Sequence, residues 1–472
     1  MYKLVLIPIL GAVLTGCAVG PNYQPPTTAT PATFGRAATN QFAPANPEAH
    51  WWAMFADPTL NELIARAAKK NHDVKIAEAH LNEARALRRG ALWAFAPQGG
   101  VSGRFQRRQL ALPEVAGANL PSRLGNTWST GFDATWEIDL FGRLRRSAEA
   151  ASAEVGVTGA QLRDVQVALL AEVAANYFGL QGARDTVGLL RQQRELLERS
   201  LNTTQLRVAA GRGSALDTAR AQALLKETEA AVPLAEREEA QHLHRLAVLL
   251  GEQPGTFSLA FGPRETVQPA RQIAIGTPAE LLRRRPDVSA AERQLAAATA
   301  RLGVRTAEMF PEVSVSGFIR LIGSEGVSLG SAASQAWGVA PTATWHVLSL
   351  GRLNAVRNAS RFQVNAAVDH YEQTVLRALE DMENSLLRYR TADERLRLLG
   401  ERQSAADRAH RIAQDQYQAG AISSLEATDA ERTALAAARE TTVAATEHRL
   451  AVVAVYKALG GGWNDEQLWA RK

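Results

Sequence analysis

One cysteine, Cys17, is all the thiol chemistry in 472 residues. A disulfide framework and a cysteine-based metal site within one chain are therefore excluded. Methionine is almost as scarce: four residues, Met1 included, are too few for a methionine relay. The nine histidines, His242 and His244 among them, show no zinc-ligand spacing with a cysteine or a nearby acid. No phosphate loop is present, and no paired carboxylates have a supporting context. Neither an enzyme nor a bound cofactor or metal is expected. Past the first few dozen residues no run of eighteen apolar residues occurs, so the mature chain should have no transmembrane helix. The formal charge of +5 is spread along the sequence rather than clustered. Nucleic-acid binding needs a basic patch or a known module, and neither is seen.

What is present is a duplication. Offset by 209 residues, Ala210-Gly211-Arg212-Gly213-Ser214-Ala215-Leu216-Asp217 falls on Ala419-Gly420-Ala421-Ile422-Ser423-Ser424-Leu425-Glu426. Trp136 falls on Trp345, Gly142-Arg143-Leu144 on Gly351-Arg352-Leu353, and Gly251 on Gly460. An earlier block repeats at offset 214, with Asp73-Val74 on Asp287-Val288 and Glu78 on Glu292. Two similar halves build one object. The offset changes between Pro97 and Trp136, so the copies differ in a loop there.

The first residues read as a leader. Lys3 supplies a positive charge, Leu4 to Val13 an apolar stretch, and Leu14-Thr15-Gly16-Cys17 resembles the lipobox of a bacterial lipoprotein. On that reading 1–16 is a signal peptide and Cys17 the acylated first residue, its covalent lipid the only added group. An ordinary signal peptide with a chance cysteine is the alternative. Residues 17–50, rich in Pro, Thr, Ala and Asn, read as an extended strap.

Each repeat then runs through the same parts. The first has helices within 51–97 (about 57–71 and 73–95), a β-hairpin over 98–141 and a long helical hairpin over 142–251. A connection at 252–276 leads to the second, with helices at 277–311, a β-hairpin at 312–350, a helical hairpin at 351–460 and a tail at 461–472. In Thr127–Phe141 apolar and polar residues alternate, with Trp128, Phe132 and Trp136 on one face and Ser129, Asp133 and Glu137 on the other. That is a two-faced strand. Val101–Leu112 is its expected partner. Val313–Ile322 and Ala336–Leu348 form the second pair, with Pro341 predicting a bend or bulge. From Leu162 to Val208 a seam of mostly apolar positions, with Gln166, Asn176, Arg194 and Thr204 among them, steps by alternating four and three, and adding 209 moves it to Tyr371–Tyr417 in register. Such a repeat predicts a coiled coil. About 65 residues rising ~1.5 Å each give a helix of roughly 100 Å, too long for a globular interior.

Four amphipathic strands cannot close a barrel, since about eight is the smallest number whose interior fills. Three subunits supply twelve. The apolar face would meet lipid and the Asp/Glu/Thr face water. A soluble sandwich is the alternative for the strands alone. The expected fold is mixed α and β: a homotrimeric outer-membrane β-barrel with four strands per subunit, continued by a long periplasmic coiled-coil α-barrel, from two internal structural repeats.

The opening Cys17-Ala18-Val19-Gly20-Pro21-Asn22-Tyr23-Gln24-Pro25-Pro26 resembles that of lipoprotein outer-membrane factors of the TolC/OprM (NodT-type) family. So do Trp51-Trp52-x-x-Phe55-x-Asp57-Pro58, Asp139-Leu140-Phe141-Gly142-Arg143-Leu144, Arg283-Arg284-Arg285-Pro286-Asp287-Val288 and Gln416-Tyr417-x-Ala419-Gly420. The resemblance covers essentially the whole chain. It implies a homotrimer in outer-membrane lipid, extending into the periplasm, that docks a periplasmic adaptor and an inner-membrane pump, usually of the resistance-nodulation-division type. It implies a passive exit duct for small molecules such as drugs and organic compounds. A duct for protein (type I) secretion and a pore-less coiled-coil scaffold are the competing readings.

The resemblance also assigns sites. Acids that ring the periplasmic mouth in the family match Glu426 and Asp429 on the second tip and Asp217 on the first. Three-fold repetition of carboxylates in a narrow pore favours cations. The alternative is that these acids are solvated or stabilise a helix start; for Asp217 the two roles fit equally. Tyr417 is a further gate candidate, its seam position also suiting core packing. Ile422 stands where TolC carries an arginine that helps lock the closed mouth. Gly211, Arg212, Gly213, Ser214, Gly420, Ala421 and Ser423 are the candidate adaptor-docking positions. Turn geometry explains the glycines as well, and Ser214 and Ser423 suit helix caps.

Overall fold

The computed structural model describes residues 18–35, 41–115, 123–260, 272–464 and 466–469. The expected signal peptide and Cys17 lie outside the described residues. In chain order the elements of the first half are β1 (Phe42–Ala43), α1 (Pro58–Lys70), α2 (His72–Trp93), β2 (Gln98–Gln109), β3 (Leu124–Ile138), α3 (Arg143–Ala209) and α4 (Ala215–Leu249). Those of the second are β4 (Ile273–Ala274), α5 (Pro278–Arg284), α6 (Pro286–Ala307), β5 (Glu312–Ser324), β6 (Gln335–Thr344), α7 (Leu350–Gln418), α8 (Ser424–Ala458) and α9 (Glu466–Trp469). The duplication holds at the level of elements. α8 repeats α4 at an offset of 209 at both ends, and α6 repeats α2 at 214. The β2–β3 connection is longer than the β5–β6 connection, which is where the offset changes.

The chain forms two compact units. The first takes the chain start through Thr27, His80–Gly159 and Ala290–Glu372. Its sheet is antiparallel throughout, in the order β2-β3-β5-β6, so the pair β3–β5 joins the two repeats. β2 and β6 are its edges among the described residues. The strap begins here: Val19 N–H donates to Phe141 O at 3.1 Å, and the Arg146 guanidinium, 4 % exposed, donates to Val19 O and to Asn22 Oδ1 at 3.3 and 2.7 Å. A buried guanidinium needs such acceptors, because an unpaired one costs several kcal/mol (order of magnitude).

The second unit takes Thr28–Ala79, Ala160–Ser289 and Gln373–Lys472. Its core packs Trp51, Leu60, Leu170, Tyr177, Leu246, Leu250 and Tyr456. Trp51 stacks on Tyr456 with ring centroids 5.3 Å apart. Asp57 caps α1 through Thr59 N–H at 2.9 Å and also accepts from the Tyr177 hydroxyl at 2.5 Å. The strap is more structured than its composition predicts. β1 pairs in parallel with β4, which ties residues 42–43 to the connection before the second repeat. The seam on α3 and α7, of 67 and 69 residues, is as expected: no seam position from Leu162 to Val208 or from Tyr371 to Tyr417 is exposed.

Two strand readings are corrected. β3 ends at Ile138 rather than Phe141, because the Asp139 carboxylate accepts from Leu144 N–H and Arg145 N–H at 3.1 and 2.9 Å and so starts α3. Gly142 makes the turn at φ +85°. Pro341 makes no bulge. It sits opposite Val315 in unbroken register, on an edge strand, where a missing N–H is tolerated.

Candidate functional site

Both helical hairpins turn by one device. Gly211 and Gly420 take φ of +70° and +73°, with nothing within reach of an added Cβ. Backbone conformation, not crowding, therefore requires glycine here. Arg212 N–H and Ala421 N–H each reach back five residues, to Arg207 O and Gln416 O, both at 2.8 Å. These bonds satisfy the last carbonyls of α3 and α7. Ser214 and Ser423 then start the return helices. Asp217 N–H donates to Ser214 Oγ at 3.2 Å, and Ser214 N–H donates to Asp217 Oδ2 at 3.0 Å. Glu426 and Ser423 repeat the exchange at 3.3 and 2.8 Å. Both are capping boxes.

Two of the expected gate acids thus have a defined local task. The backbone bond from Ser214, then the hydroxyls of Ser214 and Ser424, hold the Asp217 carboxyl below the usual carboxylate range. The backbone bond and hydroxyl of Ser423 do the same for Glu426. Each acid therefore stays ionised, and a ring role is compatible with the cap. Asp429 differs: it lies a turn further along α8, exposed, and accepts from Arg432 at 3.0 Å. Tyr417 is half-buried, and the Arg207 guanidinium lies 4.1 Å from its ring centroid. Core packing alone does not describe it. Ser424 Oγ donates to Asp217 Oδ1 at 3.0 Å, so two contacts join the tips of the two repeats within one chain. Arg207 and Ser424 were not singled out from the sequence; their partners lie some two hundred residues away, and no spacing signals them. Arg212, Gly213 and Ala421 are exposed at the same turns.

The sheet supplies the second half of the geometry. Register places Val101, Phe105, Trp128, Phe132, Trp136, Ile319, Trp337 and Val339 on one side, all exposed in the single chain. An uncovered apolar face of this size needs lipid or protein against it. The other side carries Ser129, Gly131, Asp133, Ser314, Ser316 and Thr342. No helix among the described residues is long and apolar enough to cross a membrane.

The remaining sequence signatures are structural. Arg285 donates to Asp287 at 3.0 and 2.7 Å, to Asp381 at 3.1 Å and to Ala458 O at 3.1 Å, closing the second repeat onto itself. Gly326-Val327-Ser328-Leu329-Gly330 has the letters of a nucleophile elbow but lies in the β5–β6 connection, not between a strand and a helix.

The model of the family described as outer membrane efflux protein matches residues 63–252 and 277–461, one block per repeat. Outer membrane protein OprJ of Pseudomonas aeruginosa is 28 % identical over 465 residues, covering 97 % of this chain and 95 % of that protein. The toluene efflux pump outer membrane protein TtgF of Pseudomonas putida is 28 % identical over 468 residues, with coverages of 97 % and 96 %. Among solved structures, the outer-membrane channel OprN superposes with a TM-score of 0.89 at 37 % identity, covering 95 % of this chain and all of that one. CusC superposes at 0.83 and 25 % identity, with coverages of 94 % and 100 %. With the two-faced sheet, the paired long hairpins and a family match over both repeats, the chain belongs to the outer membrane efflux protein family, the outer-membrane channel components of tripartite efflux systems.

Proposed function

We propose that three copies of this chain close a twelve-stranded barrel in the outer membrane, anchored by lipid on Cys17, and serve as a passive exit duct for small organic molecules. One observation carries the reading. The sheet has one apolar and one polar face and two open edges, β2 and β6, among the described residues. Open edges and an exposed apolar face are both liabilities in a lone chain. Pairing of edges between three copies removes the edges, leaves the apolar face to lipid and gives the polar face to water. The long helical hairpins form the periplasmic part. The glycines at their turns leave stretches of tip backbone without side chains, which suits the close approach of an adaptor's helical hairpin; the exposed Gly211, Arg212, Gly213, Ser214, Gly420, Ala421 and Ser423 are the docking surface. An inner-membrane pump, of the resistance-nodulation-division type, selects the substrate and delivers it through that adaptor. Toluene efflux is named for TtgF and two further relatives of this chain, which supports small organic cargo over secreted protein. Asp217, Tyr417, Glu426 and Asp429 control the periplasmic mouth.

Native mass measurement in detergent, with conductance in planar bilayers, tests this. A trimer that conducts is expected. Monomers alone, or trimers that never conduct, would leave only a scaffold.

A further inference from the structure

The water-facing side of the sheet holds one arrangement that a simple polar lining does not need. Phe318 and Arg320 sit two residues apart on β5, on the side opposite Ile319 and Trp337. Phe318 is the one aromatic among the strand residues of that side, which otherwise carries Ser, Thr, Gly, Ala, Gln, charged residues and Ile322, and it is 37 % exposed. Each of the two side chains lies over a glycine of a neighbouring strand. A Cβ at Gly338 of β6 would stand 2.8 Å from Phe318 Cε1, and one at Gly131 of β3 would stand 2.5 Å from Arg320 Cγ. Both glycines have thus left room for a neighbour to lie sideways across them. The Arg320 guanidinium carbon is 4.9 Å from the Phe318 ring centroid. Asp133 is the nearby acid, but its Oδ1 is 4.0 Å from Arg320 Nη2, and the two side chains are 53 % and 45 % exposed. At that distance there is no hydrogen bond, so Arg320 keeps donors free. Arg104, across Ser129 from Ile322, adds a second cation to the same side.

We infer that Phe318 and Arg320, bedded on Gly338 and Gly131 and supported by Arg104, form a platform that binds aromatic organic anions passing through the duct. The inference rests on the proposed closure of the barrel, which makes this side the water-filled one. A flat aromatic carboxylate or sulfonate stacks its ring on Phe318 and on the guanidinium plane, and its anionic group takes charge-assisted hydrogen bonds from Arg320 and Arg104. An open, half-exposed patch gives weak, short-lived binding, as transit demands.

The test is single-channel recording of the purified, full-length channel in planar bilayers, with 2-naphthalenesulfonate as probe. Sulfate and a naphthyl ammonium ion of similar size are the controls. Naphthalenesulfonate is expected to interrupt the current at concentrations where both controls do not. Arg320→Gln and Phe318→Leu should each raise the half-blocking concentration at least about fivefold. A conducting parent channel that naphthalenesulfonate blocks no better than sulfate overturns the platform without any variant. Variants of parent conductance that are blocked like the parent overturn it too. Absence of conductance from assembled protein overturns the duct reading instead, and the platform with it.

Discussion

Trp136 and Trp345 occupy the same place in the two repeats and make the same bond with different spacing. Trp136 donates its indole N–H to Phe95 O at 2.9 Å, and Trp345 donates to Met309 O at 3.1 Å. The donors are 209 residues apart and the acceptors 214, so each bond spans the loop in which the repeats differ. Both indoles are about half exposed, with an apolar ring and a satisfied polar edge, as suits the border between lipid and water. Trp136→Phe or Trp345→Phe keeps the ring and removes the bond. Each should cost about 1 kcal/mol. Thermal unfolding followed on the β signal should show a lower midpoint for each variant and a further drop for the pair. Midpoints equal to the parent's would mean that the bonds contribute nothing net.

Ser214→Ala and Ser423→Ala should each cost about 1 kcal/mol in the first turn of the return helix. Backbone hydrogen exchange reads this locally: protection should fall over residues 215–218 or 424–427 and stay at parent level in the core near Trp51. Loss of protection throughout the chain would point to general misfolding rather than a lost cap.

The same turns should respond to acid. Asp217 and Glu426 have folded-state pKa values below their unfolded ones, because backbone and hydroxyl donors favour the charged form. Their stabilisation is therefore complete above the unfolded values of about 4 and disappears as pH falls through the folded values. Exchange protection at both first turns, corrected for intrinsic rates, should be flat at neutral pH and decline below about 4. Asp217→Asn and Glu426→Gln should flatten that decline. A decline of equal size in the variants would assign it to other groups.

The gate acids are tested by charge. Glu426→Gln with Asp429→Asn should reduce cation selectivity and weaken block by divalent cations in single-channel recordings. Unchanged selectivity and block, in a variant that still assembles, would reduce Glu426 to its cap and Asp429 to its pair with Arg432. Arg207→Gln removes the contact to Tyr417 and should lengthen open times, since one of the two ties between the tips is gone. Identical gating would show that the tie holds nothing closed.

Cys17→Ser tests the anchor. Mass spectrometry of the parent's mature N-terminus should find lipid on Cys17, and the variant should be extracted from membranes by milder detergent. A parent chain that begins elsewhere or carries no lipid contradicts the lipobox reading.

Much of this molecule is legible in its sequence because it is periodic. Alternation at two marked the faces of β3, and the three-four step from Leu162 and Tyr371 marked the buried seams of α3 and α7. A side chain's direction follows from its place in a repeating backbone, so a local pattern suffices. The self-match at 209 and 214 located equivalent elements before any were seen. Glycine and serine at the tips announced the turns because few residues tolerate positive φ or cap a helix. Tertiary structure alone decided what meets across the repeats. It set β3 against β5, Arg207 against Tyr417 and Ser424 against Asp217. It laid Arg320 over Gly131 and Phe318 over Gly338. It also ended β3 early, since a capping carboxylate at Asp139 outweighed continued alternation. Contacts between segments far apart in sequence depend on how the elements pack in space, and no spacing within either segment encodes them.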